Sequence, residues 1–123
     1  SMKFMKCKHC GNIVAFVDEK QPKIICCGEP MQELVPNTTD AAQEKHVPVV
    51  KVEGTHVTVT VGSVAHPMVE DHWIEWIVLE TKTGNQRKVL QPGQEPKAEF
   101  EMVEGDSVVA ALAYCNKHGL WQA

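Results

Sequence analysis

The sequence lacks any long apolar segment and any cluster of basic residues. Its longest apolar run, 108–115, is far shorter than the roughly 20 residues that a membrane-spanning helix needs. The formal net charge is −4, and no group of Lys and Arg stands out, which argues against a nucleic-acid or anionic-membrane partner. The N-terminus leads into a cysteine motif without an apolar signal segment, so we expect a cytoplasmic protein.

The cysteines do not form an even set, because there are five of them. A disulfide framework would leave one thiol unexplained, and in a reducing compartment cysteines are more often metal ligands. Four lie close together in residues 1–36 and predict a tetrahedral four-thiolate site: Cys7, Cys10, Cys26 and Cys27. A unit of this size is below the roughly 40 residues that support an apolar core, so we expect a metal to hold it together. A structural zinc ribbon is the alternative; His9, inside the Cys-x-x-Cys loop, is expected to be exposed.

The rest of the chain lacks a convincing helical pattern. Residues 37–45 are polar and without periodicity, which indicates a linker. Residues 55–61 alternate, with Val57, Val59 and Val61 on one face and His56 on the polar face, where it is expected to be solvated. Short strands at regular spacing predict an all-β sandwich: 47–52, 55–61, 73–80, 87–90, 98–103 and 107–114.

A second group of potential metal ligands lies at the ends of these strands and in their loops: His46, His66, His72, Cys115 and His118. Side chains at strand ends of a rigid sandwich can converge on one rim. Four imidazoles and a thiolate exceed the three protein ligands of a hydrolytic zinc and leave one position free on a six-coordinate metal. A thiolate facing a free position favours a redox metal, most plausibly iron. Blue copper is the alternative, although the chain ends without the methionine that follows the histidine in such sites.

These motifs, in their order along the chain, resemble those of the desulfoferrodoxins, the two-iron form of superoxide reductase. The resemblance covers both units and rests on five stretches: Cys7-x-x-Cys10, Cys26-Cys27-Gly-Glu-Pro-Met, Glu44-Lys45-His46-Val-Pro, His66-Pro-Met-x-x-x-His72-Trp-Ile-Glu-Trp-Ile, and Cys115-Asn-x-His118-Gly-Leu-Trp. Trp73, at a position where many relatives carry Tyr, is a mild departure beside a ligand candidate.

The resemblance implies a fold and two metal centres. Residues 1–36 would form a desulforedoxin-like module with an iron bound by its four cysteines, and residues 37–123 an immunoglobulin-like sandwich. The second iron would take four imidazoles in a square and an axial thiolate from Cys115. Glu44 and Lys45 would lie near the free position, where Glu44 can bind in the resting state and Lys45 adds positive charge. The family usually forms homodimers.

The implied activity is the one-electron reduction of superoxide to hydrogen peroxide, without production of dioxygen. Rubredoxin or a similar electron donor would then re-reduce the iron. The competing hypothesis is an electron carrier or a structural metal module. A carrier needs closed coordination, whereas this enzyme needs a free position on the iron.

Overall fold

A computed structural model describes residues 2–123 and divides the chain into two compact units, Ser1–Val35 and Pro36–Ala123. Short antiparallel strands make up most of the regular structure in both units. Among the described residues, no helix is long and apolar enough to cross a membrane.

The N-terminal unit contains two small sheets. In the first, β1 (Phe4–Lys6) lies between β2 (Ile13–Ala15) and β5 (Gln32–Glu33); in the second, β3 (Ile25–Cys26) pairs with β4 (Glu29–Pro30). Its buried apolar side chains are few, namely Phe4, Cys7 and Met31. So small a core cannot by itself offset the chain entropy lost on folding, which agrees with the expectation of a metal in this unit.

The second unit is a sandwich of two antiparallel sheets. Its elements, in chain order, are α1 (Gln43–His46), β6 (Pro48–Glu53), β7 (His56–Val61), β8 (Ile74–Thr81), β9 (Asn85–Val89), β10 (Lys97–Glu101), β11 (Val108–Cys115) and β12 (Gly119–Gln122). One sheet has the order β10-β7-β6 and the other the order β12-β11-β8-β9. The prediction of an all-β sandwich is confirmed.

The sandwich core forms where the alternating face of β7 meets the central strands of the other sheet. Val57, Val59 and Val61 are all fully buried, as their alternation predicts. They belong to one apolar cluster with Ile74, Ile77, Leu79, Phe100, Ala111, Ala113 and Cys115. Cys115 therefore stands at the end of the core, where β11 leaves it, and this rigid layer supports the loops beyond.

Two local expectations were incomplete. Residues 37–45 are not only a linker, because they lead into the single helical turn Gln43–His46. The strand Gly119–Gln122 was not predicted at all, and it pairs with β11 from Cys115↔Gly119 to Leu112↔Gln122. One turn is too short to show helical periodicity, and a four-residue strand depends on the neighbour it pairs with.

His56 lies on the polar face of β7, as expected, and bonds to two carboxylates of β10. Its Nδ1 is 2.6 Å from Glu101 Oε1 and its Nε2 is 3.0 Å from Glu99 Oε1. The hydrogen bond with Glu101, followed by that with Glu99, raises the pKa of His56, and the same bond lowers the pKa of Glu101. His56 is thus a structural residue of the β7–β10 pair.

This pair predicts a pH-dependent contribution to stability, which the variant His56→Gln isolates. The pKa of His56 is raised on folding, so its contribution is complete below the unfolded value of about 6.5 and is lost as pH rises through the folded pKa. It also weakens at acid pH, where Glu101 protonates. We expect the difference in melting temperature between parent and variant to be largest near pH 6 and to shrink by pH 9. A difference independent of pH would contradict this account.

Candidate metal centres

The four cysteines of the N-terminal unit meet through two tight turns. After β1, the main-chain N–H of Gly11 donates to the carbonyl of Cys7 at 2.9 Å, and Gly11 adopts a φ of 84°. At the end of β3, Cys27 has a φ of 52°, a left-handed conformation that is uncommon for a residue with a side chain. These turns bring the Sγ atoms of all four cysteines within 4.8 Å of one another. His9 is exposed, as expected.

The thiols of this cluster do not ionise independently. The main-chain N–H of Cys10 donates to Cys7 Sγ at 3.5 Å, and this bond lowers the pKa of Cys7 to about 6. Hydrogen bonding with Cys10, then with Cys7, raises the pKa of Cys27 to about 12. Four thiolates cannot gather this closely without a cation, because each resists the ionisation of the others. The donor set therefore fits a soft divalent metal such as iron or zinc.

The second group of ligand candidates is brought together by the second unit. His46 ends α1, His66 and His72 lie in the loop between β7 and β8, and Cys115 ends β11. One donor atom from each of these four lies within 4.8 Å of all the others. His118, in the turn before β12, places Nδ1 3.1 Å from His46 Nε2 and 3.9 Å from Cys115 Sγ.

Hydrogen bonds to main-chain carbonyls determine which ring nitrogens face the centre of this cluster. His46 Nδ1 is 2.7 Å from the carbonyl oxygen of Ala42, and His66 Nδ1 is 2.7 Å from that of Pro67. A carbonyl only accepts, so both Nδ1 atoms carry the proton and both Nε2 atoms present lone pairs. These two Nε2 atoms lie 3.1 Å apart. Two lone pairs at that distance repel each other unless a cation lies between them.

Burial disfavours the charged forms of His46, His66 and His72. Loss of solvent lowers the pKa of His46 and His72, and lowers that of His66 to about 4. Among residues 2–123, the buried Nε2 of His72 finds no hydrogen-bond partner. Burial also raises the pKa of the Cys115 thiol, whereas a bound metal would hold it as thiolate. Three features of this cluster fit a redox transition metal: the unpartnered Nε2 of His72, the opposed Nε2 lone pairs of His46 and His66, and the soft sulfur of Cys115.

Trp121 supports the cluster from behind, and the sequence prediction gave it no role. Its ring stacks on that of His46 with centroids 4.9 Å apart, and its Nε1 donates to the carbonyl of His118 at 3.0 Å. Trp121 is 1% exposed, so both contacts are held by packing. Its position in β12 was hidden because that strand was not predicted.

The two residues expected beside the free position, Glu44 and Lys45, precede His46 on α1 and have exposed side chains. Their main chain is anchored, since the N–H of Val64 donates to the carbonyl of Glu44 at 2.9 Å. Gly62 makes this close approach possible: a Cβ at that position would lie 2.6 Å from the Glu44 carbonyl oxygen and 3.1 Å from that of Val47. Position 62 therefore has to be free of a side chain for α1 to hold its place.

Together the β-sandwich, its imidazole and thiolate cluster and the small four-cysteine unit define a non-haem metalloprotein with two metal centres. The family model described as desulfoferrodoxin matches residues 38–123, and that of the desulfoferrodoxin N-terminal domain matches residues 1–34. The chain belongs to the desulfoferrodoxin family.

Individual relatives resemble the chain over nearly its whole length. It is 52% identical to a desulfoferrodoxin homolog of Archaeoglobus fulgidus, over 99% of this chain and 96% of that protein. It is 51% identical to the desulfoferrodoxin of Nitratidesulfovibrio vulgaris, over 96% and 92%. The crystal structure of the superoxide reductase from Treponema pallidum superposes with a TM-score of 0.84 at 36% identity, covering 100% of this chain and 98% of that one. The resemblance drawn from the motifs is confirmed.

The contact at Gly62 predicts that Gly62→Ala moves α1 and with it His46. The atoms in the way belong to the main chain and cannot rotate aside, so we expect a loss of about 1–3 kcal/mol in the free energy of unfolding. The second site should also lose its metal to a chelator faster. Gly84→Ala is the matched control, because a Cβ at Gly84 meets nothing within 4 Å. Equal behaviour of the two variants in denaturant titration and metal release would refute this role for Gly62.

Proposed function

We propose that this protein is a superoxide reductase, which converts superoxide, one electron and two protons into hydrogen peroxide without forming dioxygen. The observation that carries the proposal is the convergence of four imidazoles and one thiolate on one rim of the sandwich. Five protein donors leave a single position on a six-coordinate iron, which is where a small anion can bind. The relatives named superoxide reductase, from Treponema pallidum and at 36% identity from Pyrococcus horikoshii, support the same assignment.

Two iron ions per chain complete the proposal. Residues 1–36 form the desulforedoxin-like module, whose iron is held by its four cysteines, and residues 37–123 form the catalytic sandwich. There the ligands are His46, His66, His72, His118 and Cys115. Iron held by this set supplies one electron to bound superoxide.

The protein's own residues prepare the site for that anion. The Nδ1–H bonds of His46 and His66 to main-chain carbonyls hold the two rings with their Nε2 lone pairs inward, in the orientation that a metal ligand needs. The net charge of −4 repels superoxide at long range. Lys45, exposed on α1 next to His46, is the cation we assign to attract it at short range. Glu44, on the same turn, is assigned to bind at the free position in the resting state.

Each turnover consumes one electron, so the oxidised iron has to be reduced again by an external donor. We propose rubredoxin or a similar small redox protein for this role. The proposal also includes a homodimer and a cytoplasmic location, which rest on the motif resemblance and on the composition. The competing function is that of a pure electron carrier, whose iron would have no free position. Binding of azide or cyanide to the second iron would show a free position and would exclude a carrier.

Cys115→Ser tests the assignment of the catalytic site. Replacing the only thiolate of the second set with a poor donor should abolish the sulfur-to-iron charge-transfer band and superoxide reduction, while the four-thiolate absorption persists. Cys10→Ser is the reciprocal control: it should lose the four-thiolate absorption and keep the activity. Activity in a metal-loaded Cys115→Ser protein would place the chemistry elsewhere.

Lys45→Ala tests the role of local charge. We expect the bimolecular rate with superoxide, measured by pulse radiolysis, to fall about tenfold at low ionic strength and the difference from the parent to shrink with added salt. Lys51→Ala is the matched control, because it makes the same change of net charge on β6, where Lys51 pairs with Glu53 at 3.2 Å. Identical rates and salt dependence in both variants would remove Lys45 from the mechanism.

A further inference from the structure

The side chain of Asn116 bonds the loop that carries His72 to the segment between Cys115, at the end of β11, and His118. Asn116 Oδ1 accepts a hydrogen bond from the main-chain N–H of Trp73 at 2.9 Å. Its Nδ2 donates to the main-chain carbonyl of Asp71 at 3.0 Å. The two bonded peptide groups therefore lie immediately before and immediately after His72.

His72 needs such support more than His46 and His66 do. The rings of His46 and His66 are each oriented by a bond from Nδ1 to a main-chain carbonyl. For His72 the hydrogen bonds found among residues 2–123 involve its main chain, in a reciprocal pair with Val69 at 3.0 Å each. Its ring is also less buried, and its Nε2 lacks a partner. The position of this ring thus follows from the position of its backbone.

The ladder between β8 and β11 ends just where these residues begin. Its register shifts between Tyr114 and Cys115, and Cys115 pairs with Ile74 as the last step. Beyond that point the Asn116 amide continues the pairing, because it offers one acceptor and one donor in the manner of a peptide group. The main-chain N–H of Asn116 adds a long contact of 3.3 Å to the carbonyl of Trp73.

We propose that Asn116 is a positioning residue of the second metal centre, which holds the His72 loop in register with the Cys115–His118 turn. It touches neither the metal nor the substrate and acts through the main chain on both sides of His72. Only asparagine combines a side chain of this length with both a hydrogen-bond acceptor and a hydrogen-bond donor. Aspartate keeps the acceptor but sets an oxygen against the carbonyl of Asp71, and alanine keeps neither. This role rests on the proposed function to the extent that the second donor set holds iron.

The test compares iron binding in Asn116→Ala and Asn116→Asp with the matched control Asn37→Ala. Asn37 forms the same kind of paired bonds, from Nδ2 to the carbonyl of Gln122 at 3.0 Å and from the N–H of Gln122 to Oδ1 at 2.8 Å. It lies in the same unit and is bonded to β12, away from the His72 loop. Asn37 also has a φ of 62°, a left-handed conformation that asparagine tolerates better than alanine, so Asn37→Ala should lower the melting temperature at least as much as Asn116→Ala.

The readouts are the ferrous affinity of the second site, by competition with a chromophoric chelator, and the midpoint potential of its iron. Loss of an outer-shell partner typically costs 10–100-fold in metal affinity, so we expect about that loss in Asn116→Ala, a smaller one in Asn116→Asp and less than about threefold in Asn37→Ala. The potential should shift only in the Asn116 variants. If Asn116→Ala does not fold, Asn116→Asp decides by the same criterion.

Unchanged affinity and potential in the Asn116 variants, or equal losses in Asn116→Ala and Asn37→Ala, would overturn the inference. The parent protein distinguishes this from failure of the proposed function. A parent that binds iron at the second site but does not reduce superoxide contradicts the function alone, and the comparison of variants still holds. A parent that takes up no iron there contradicts both.

Discussion

The hydrogen bonds from the Nδ1 atoms of His46 and His66 to main-chain carbonyls are the interactions on which the second centre depends. Each places the proton on the outer nitrogen and turns a lone pair inward. Burial prevents protonation from relieving the resulting repulsion, since it lowers the pKa of both rings. The protein therefore holds an electron-rich cavity that a metal ion stabilises. The backbone thus orients these two rings with their Nε2 lone pairs toward the centre of the cluster, as outer-shell hydrogen bonds do in metal sites.

The sandwich holds the main-chain segments that carry these ligand candidates together at one rim. Gly62 lets α1 approach closely enough to bring in His46, and Asn116 joins the His72 loop to the end of β11. Trp121 packs behind His46 from β12. All three supports are single residues that are not candidate metal ligands. The geometry of this centre thus depends on residues whose side chains are not metal ligands.

The sequence predicted those features of the fold and site that leave a regular pattern along the chain. Alternation located the buried face of β7, and residue type with motif order brought His46, His66, His72, Cys115 and His118 together as candidates. What it did not predict depends on contacts between distant segments. The turn of α1 is too short to be periodic, and β12 exists as a strand only beside β11. Asn116 could be noticed in the sequence because it lies between two ligand candidates, Cys115 and His118. Its hydrogen-bond partners could not be predicted, because they flank His72, 43 to 45 positions away.

The second centre is proposed to reduce superoxide and not to dismutate it. The direct test is to mix iron-loaded, fully reduced protein anaerobically with a limiting amount of superoxide and to quantify both products. The account predicts one molecule of hydrogen peroxide for each superoxide consumed, oxidation of the iron at the second centre and no dioxygen. Dioxygen release, with one hydrogen peroxide for every two superoxide molecules, would contradict it.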